Sequence, residues 1–223
     1  MKKQILLFAL SCMASFGFAQ TTDSKISFGA QAGLASYSLK GDAVKSLNSL
    51  IDYADGMITT KSRTGFYAGG FANIPIGGQF SVEPGVYYTQ KGYELNGDLN
   101  LKGLEFLGAN ASAKLQSEYI DIPVLLKADM GGLNIFAGPQ VSYLVKSDLR
   151  ITAGVLGINI LNQKIDATSQ FNRWDASVTG GVGYKFDNIN LGASYDYGLG
   201  KVDANKSFKS YNRGFKIGVG ISF

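Results

Sequence analysis

The sequence contains no histidine, and its single cysteine, Cys12, lies within the first nineteen residues. Histidine is the most frequent general base in enzymes and the commonest transition-metal ligand. Ser/His or Cys/His nucleophilic catalysis and the usual zinc sites are therefore excluded for the rest of the chain. Carboxylate or lysine chemistry remains formally open. We expect a protein that is not an enzyme and that uses no metal or other cofactor.

Long apolar runs are also missing, since no stretch of 18 apolar residues occurs after residue 19, which excludes membrane-spanning helices. Proline is scarce, at 4 residues, against 29 glycines, 14 phenylalanines and 12 tyrosines. Such a composition is typical of β-barrels with crowded interiors and aromatic belts. The 21 Lys and Arg residues only slightly exceed the 17 Asp and Glu residues and form no basic cluster interleaved with aromatics. Nucleic acid is therefore not an expected partner.

The first nineteen residues have the pattern of a secretory signal peptide. Lys2 and Lys3 precede an apolar run that ends with small residues at the last and third-last positions, and the segment is too short for a membrane anchor. A lipoprotein signal lipidated at Cys12 is the alternative, but the residues before Cys12 fit it poorly. We predict that residues 1–19 are removed on export. Residues 20–223 would then form one domain of 204 residues with a net charge of +2, because two lysines leave with the signal.

Apolar and polar residues alternate in eight segments, as side chains do along a β-strand. The last segment is the clearest, with apolar side chains on one face from Phe215 to Phe223 and Lys216 and small residues on the other. A soluble protein rarely ends by exposing such a strand, whereas a closed membrane barrel needs it to pair with the first strand. The eight predicted strands cover residues 25–39, 64–76, 79–95, 115–130, 134–149, 173–186, 189–201 and 211–223.

The connections between these segments alternate between short and long. Tight turns are predicted at Gly77-Gly78, Gly131-Gly132 and Asp187-Asn188. The longer connections fall at residues 40–63, 96–114, 150–170 and 202–210. Outer-membrane barrels have short periplasmic turns and longer extracellular loops. We therefore predict an all-β, eight-stranded, antiparallel up-and-down transmembrane barrel in the cell outer membrane. A soluble lipocalin-like barrel is the alternative, but here the glycine-rich polar face suits a narrow interior.

Three stretches carry a family resemblance: residues 65–70 (GFYAGG), residues 82–92 (VEPGVYYTQKG) and residues 119–127 (YIDIPVLLK). With the glycine-rich sixth strand and the terminal phenylalanine, they resemble the outer membrane protein beta-barrel domain family, also described as porin family or PorT-like. The resemblance implies an eight-stranded outer-membrane barrel and no particular transported substrate. A role in protein secretion does not follow from the fold alone.

The polar face carries charges of both signs. The candidate lumen residues are Glu83, Asp121, Lys127, Lys146, Arg173, Asp175, Asp196 and Lys216. An eight-stranded barrel is only wide enough for its own side chains, so buried charges must pair or remain hydrated. We expect a salt-bridged plug and a non-enzymatic structural or surface-interaction role. The alternative is a narrow porin that passes small solutes or ions through the polar lumen.

Two features concern partners. The terminal strand ending at Phe223 resembles the signal that the outer-membrane insertion machinery reads, so that machinery and membrane lipid are the expected partners of a monomer. A charge at Val219 should destabilise the barrel, and Gly218→Ala should act more mildly through packing.

The run at residues 151–161 is too apolar for a solvated loop. It either belongs to a hairpin that extends beyond the membrane or forms a contact site for an unknown partner.

Overall fold

The computed structural model describes residues 25–41, 58–99, 109–155, 158–200 and 210–223, so the predicted signal peptide lies outside the described residues. These residues form nine strands and one short 3-10 turn at Thr168–Gln170. The strands are β1 (Ser27–Gly41), β2 (Ile58–Gly77), β3 (Phe80–Leu99), β4 (Ala109–Met130), β5 (Leu133–Val155), β6 (Ile158–Asp166), β7 (Trp174–Phe186), β8 (Ile189–Gly198) and β9 (Ser210–Ser222). No helix in the described part is long and apolar enough to cross a membrane.

Eight of the strands close into a ring. Neighbours in the chain pair antiparallel from β1 to β5, β5 pairs with β7, and β7, β8 and β9 follow in order. The ring closes because β9 pairs with β1 from Gly29↔Ser222 to Gly41↔Ser210. The ninth strand, β6, pairs with β5 outside this ring. The predicted eight-stranded up-and-down barrel is confirmed.

The turns at one end of the barrel are as tight as expected. They lie at Gly78-Gln79, Gly131-Gly132 and Asp187-Asn188, the first of them one residue later than predicted. Gly131 and Gly132 both adopt positive φ, at 66° and 99°, which glycine does without steric cost. The short turns, the start of β1 and the end of β9 therefore all lie on the periplasmic side of the barrel.

The connections at the other end are long, but much of their length is strand. β2 to β5 have 20, 20, 22 and 23 residues, about twice what crossing a bilayer requires. The described parts of the apolar run at residues 151–161 belong to β5 and β6, which pair with each other. This agrees with the first of the two expectations, that the run belongs to a hairpin extending beyond the membrane. Strands β2 to β6 therefore continue beyond the membrane as an extracellular sheet.

The barrel is apolar outside and polar inside. Leu34, Ile217 and Val219 are more than half exposed in the protein alone. Most buried positions hold polar side chains such as Ser, Thr, Asp and Lys, and they are accompanied by tyrosines and a few aliphatic residues. Aromatic pairs mark the extracellular edge of the apolar surface: Phe66–Tyr88, Tyr143–Trp174 and Tyr195–Phe215, with ring centroids 5.6, 4.9 and 4.6 Å apart. Aromatic residues at the opposite edge are Phe28, Phe80, Tyr184, Phe186 and Phe223. These two belts bound the lipid-facing surface.

Gly218 lies where β9 approaches β1 on the inner face. A Cβ atom built there would lie 2.6 Å from the backbone oxygen of Ala32 and would overlap the Tyr67 hydroxyl. The backbone of a paired strand cannot move away as a flexible side chain can. The effect of Gly218→Ala is therefore expected to arise from packing, with a cost of about 1–3 kcal/mol, and its being milder than a charge at Val219 stays a prediction.

Val219 tests the assignment of faces. We expect Val219→Lys to lower the free energy of unfolding in lipid vesicles by about 2–4 kcal/mol, because it places a charge on the lipid-facing side near mid-strand. The matched control is Tyr211→Lys on the same face near the extracellular end of β9, which should cost only about 0–1 kcal/mol. Urea titration followed by Trp174 fluorescence measures both variants. Equal costs at the two positions would contradict the predicted depth dependence.

Candidate functional site

Four buried charges meet in the middle of the lumen. Asp121 of β4 pairs with Lys91 of β3 at 2.8 Å and with Lys216 of β9 at 3.3 Å. Lys216 also pairs with Asp196 of β8 at 2.8 Å. All four side chains are more than nine-tenths buried. We call these four residues, together with Gln140 of β5, the lumen cluster.

The lumen cluster crosses the full width of the barrel. In the ring of eight, β4 and β9 are four strands apart in either direction, so they form opposite walls. The Lys216–Asp121 ion pair therefore joins side chains from the two sides of the lumen. Gln140 of a third wall accepts a hydrogen bond from Lys216 and donates one to Asp196, both at 3.3 Å. Side chains therefore reach across the lumen at this level.

Hydroxyl groups and aromatic rings complete the surroundings of these charges. Asp196 accepts hydrogen bonds from the hydroxyl of Tyr37 and from that of Thr179, the latter at 2.8 Å. The Lys91 ammonium donates to Ser142 at 3.1 Å and lies 4.6 Å from the ring centroid of Tyr119. Buried charges are tolerated only when they are paired and hydrogen-bonded, and this cluster meets both conditions.

The other predicted lumen residues lie above and below the cluster. Asp175 is buried and accepts a hydrogen bond from Asn212 at 2.8 Å, and in the described part of the chain no basic nitrogen lies within 4.0 Å of it. Lys127 and Glu83 form a separate ion pair at 3.3 Å toward the periplasmic end. Asn73 donates to the same Glu83 carboxylate at 3.5 Å. Asp175, the lumen cluster and the Lys127–Glu83 pair thus lie at successive levels along the lumen.

Two predicted lumen residues, Lys146 and Arg173, lie elsewhere. Val145 is the extra residue of a β-bulge, since Glu118 pairs with Lys146 while Tyr119 pairs with Leu144. A one-residue insertion exchanges the two faces, so Lys146 points outward and is 46% exposed. Arg173 is exposed and donates to the carbonyl oxygens of Leu144 and Val145 at 3.1 Å each, which satisfies the bulge.

Three members of the site were not among the predicted site residues. Lys91, Gln140 and Tyr37 each occupy an inward position by strict alternation from the predicted strand faces. Their signal was therefore present in the sequence. Alternation places Lys91 on the inward face but does not show its partner, and neutral side chains such as Gln140 and Tyr37 carry no mark of a charge network.

The contacts of the lumen cluster are ion pairs and hydrogen bonds between its own members and their neighbours. Each carboxylate of the lumen cluster faces a lysine, and the hydroxyl groups point at these carboxylates or at each other. Within the described residues, no group of three His, Cys, Asp or Glu side chains could hold a metal ion. What the arrangement can do is to hold opposite walls of the barrel together and fill the space between them.

Comparison with known proteins agrees with the barrel. Residues 18–204 match the sequence pattern of the family described as outer membrane protein beta-barrel domain. This chain belongs to that family. The family expected from residues 65–70, 82–92 and 119–127 is thereby confirmed, as is the cell outer membrane as the location. No curated protein matches the chain in sequence.

Several solved structures are similar in fold. The attachment invasion locus protein Ail of Yersinia pestis is 11% identical, with a TM-score of 0.45 over 90% of this chain and 100% of its own. Neisserial surface protein A is 17% identical, with a TM-score of 0.42 over 89% and 98% of the two chains. OprG from Pseudomonas aeruginosa is 13% identical, with a TM-score of 0.44 over 88% and 95%. At these TM-scores the superpositions are loose.

Asp121 is the position at which loss of the lumen cluster can be measured. We expect Asp121→Asn to lower the free energy of unfolding by about 3–5 kcal/mol, because Lys91 loses its ion-pair partner while it stays buried. The double variant Asp121→Asn with Lys91→Met should recover part of this loss, since the unpaired charge is gone. Urea titration in lipid vesicles measures both variants.

The control for this prediction is Lys164→Met, which removes a pair with Asp148 whose lysine is 52% exposed. Exposed pairs contribute at most about 1 kcal/mol. If the double variant were less stable than Asp121→Asn alone, uncompensated charge would not be the cause of the loss.

Proposed function

We propose that this chain is a non-enzymatic outer-membrane barrel with a closed lumen, whose role is structural or is performed by its extracellular surface. The observation that carries the proposal is the Lys216–Asp121 pair, which crosses the lumen between opposite walls. A pathway for solutes would have to pass through this contact and the Gln140 hydrogen bonds beside it. The energetic cost of leaving those charges unpaired opposes spontaneous opening.

The size of the interior spaces supports closure. The cavity next to the lumen cluster, between Tyr67 and Gln140, measures about 70 Å³, which is room for only a few water molecules. A wider space of about 390 Å³ lies at the periplasmic mouth between Lys127 and Lys185. This polar mouth is the one observation that favours the alternative, a narrow porin for small solutes or ions.

Planar-bilayer recording separates the two functions. A closed barrel should give no steady unitary conductance as wild type, because the lumen cluster blocks the path. A porin should give a steady unitary conductance that changes with Lys216→Met in the lumen cluster. The matched control is Lys185→Met, an exposed lysine at the periplasmic mouth. Wild-type conductance that responds to Lys216→Met and not to Lys185→Met would replace our proposal with the porin.

The proposal includes assembly by the insertion machinery through the terminal strand, with membrane lipid as the lasting surroundings and a monomer as the folded form. Phe223 follows β9 directly, its amide donates to the carbonyl oxygen of Phe28 at 2.8 Å, and its side chain is 78% exposed. It therefore lies at the seam where the ring closes. A side chain with so few contacts adds little to the folded barrel, which leaves recognition during insertion as its role.

We expect Phe223→Ser to reduce the amount of folded protein in the outer membrane while export to the periplasm continues. The matched control is Phe186→Ser, at an equally exposed aromatic position of the periplasmic belt that is not terminal. Membrane fractionation with and without heating of gel samples measures insertion and folding. An equal loss from both variants would indicate a general effect of the aromatic belt and would contradict a terminal signal.

A further inference from the structure

The outer surface of the barrel changes character directly above the extracellular aromatic belt. In β4 the outward residues are apolar up to Ile120 and continue as Glu118, Gln116 and Lys114 with unbroken alternation. The bulge at Val145 brings the outward face of β5 into the same register. We call the resulting surface the outer patch, which consists of Lys114, Glu118, Lys146, Asp148, Arg150 and Lys164.

The outer patch contains a row of three cations. Lys114 of β4 lies directly opposite Arg150 of β5, and Arg150 lies directly opposite Lys164 of β6. Like charges that face each other across neighbouring strands destabilise a sheet. Nothing in the barrel requires this placement, because the row lies on the outward face of the extracellular sheet. An anion bound between the three side chains would offset their repulsion.

The acidic residues nearby neutralise the row only in part. Lys114 pairs with Glu94 at 2.9 Å, and Asp148 takes both Lys146 at 3.1 Å and Lys164 at 3.0 Å. Among the described residues no acidic oxygen lies within 4.0 Å of the guanidinium group of Arg150. The groove over the patch measures about 540 Å³ and is lined by five basic and three acidic side chains. It therefore keeps an excess of two positive charges.

Lys146 and Asp148 of the patch lie outside the membrane-spanning part of the strands, and each favours the ionised form of the other. The hydrogen bond to Asp148 raises the pKa of Lys146. Although desolvation opposes it, hydrogen bonds from Lys164 and Lys146 lower the pKa of Asp148. The ion pair between Lys146 and Asp148 is therefore maintained around neutral pH.

The height of the cation row above the aromatic belt indicates which molecules can contact it. Arg150 is seven residues beyond Tyr143 of the aromatic belt, and one of these is the bulged Val145. At about 3.3 Å per residue and a strand tilt of about 45°, the row lies roughly 15 Å above the belt. A phospholipid headgroup layer is only about 5–8 Å thick. Among membrane lipids, only those with long headgroups, such as headgroups built on phosphorylated sugars, reach an outward face at this height.

We propose that the outer patch binds the phosphate groups of a phosphorylated glycolipid in the outer leaflet around the barrel, with Lys114, Arg150 and Lys164 as the principal ligands. Clustered Lys and Arg side chains at this position complement anionic headgroups, and each contributes attraction to a charged membrane surface. The inference rests on the location of the chain in the outer membrane. It does not depend on whether the lumen is closed.

The experiment uses the full chain in neutral detergent micelles, titrated with lipopolysaccharide labelled on its sugar with an acceptor fluorophore. Trp174, the only tryptophan of the chain, belongs to the belt below the patch and is the donor for energy transfer. We expect saturable transfer that weakens as salt is raised. Arg150→Gln should weaken binding about fivefold, and the triple change of Lys114, Arg150 and Lys164 to Gln should weaken it ten- to a hundredfold.

Lys185→Gln is the matched control, because it removes an exposed cation at the periplasmic end, and it should bind as wild type. Heat-dependent migration on gels shows that each variant is folded, and Arg150→Gln alone suffices if the triple variant is not. Unchanged binding by Arg150→Gln and the triple variant would overturn the proposal. So would an equal loss with Lys185→Gln, since attraction would then be general.

The source of the phosphate is tested by competition. A soluble polyanion, inorganic polyphosphate, should compete only at concentrations far above that of the labelled glycolipid, because it lacks the lipid that places the headgroup beside the barrel. If polyphosphate competed at equal phosphate concentration, the ligand of the outer patch would be a soluble polyanion and not a membrane lipid, and the proposal would be overturned. Phosphatidylglycerol mixed into the same detergent micelles should also compete poorly, since its short headgroup does not reach the cation row.

Discussion

The closure of β9 onto β1 is the constraint on which the rest of the structure depends. A lipid bilayer offers no partner for an unpaired backbone N–H or C=O group, so a sheet can cross it only as a ring without edges. The pairing from Gly29↔Ser222 to Gly41↔Ser210 removes both edges at once. It also fixes the number of strands at eight, and with that number it fixes the width of the lumen. Side-chain choices inside and outside follow from this single pairing.

A lumen of this width is largely filled by its own side chains. Backbones approach closely at Gly218, where even a methyl group would meet the oxygen of Ala32. Where space remains, long side chains reach from wall to wall, and their charges must cancel because they have left water. The lumen cluster is the result. Lys216 contacts carboxylates from two other strands, so the same interaction that neutralises the charges also ties distant strands together.

Strict alternation allowed much of this to be predicted. The strands and the inward position of Asp121, Asp196 and Lys216 follow from a period of two, which a membrane barrel enforces because every strand has one face in lipid. The tight turns follow from their Gly-Gly and Asp-Asn pairs. The partners could not be predicted, since Lys216 and Asp121 are 95 residues apart and meet only across the closed ring. Lys146 shows where the rule fails. A bulge at Val145 changes the phase of β5, and no residue type at that position marks the insertion.

Above the aromatic belt the strands no longer face lipid hydrocarbon, and their outward residues change from apolar to charged or polar. The outward face of β4 stays in register, yet its residues switch from Ile120 to Glu118 within one step of the alternation. Lipid no longer demands apolar side chains there, but β2 to β5 continue for about twice the length a membrane requires, and β6 joins them. Repulsion within the row from Lys114 to Lys164 works against this sheet, whereas the ion pairs to Glu94 and Asp148 support it. Neither closure of the ring nor packing of the lumen requires this row of cations. Its reason must therefore lie in the molecules that contact the extracellular sheet.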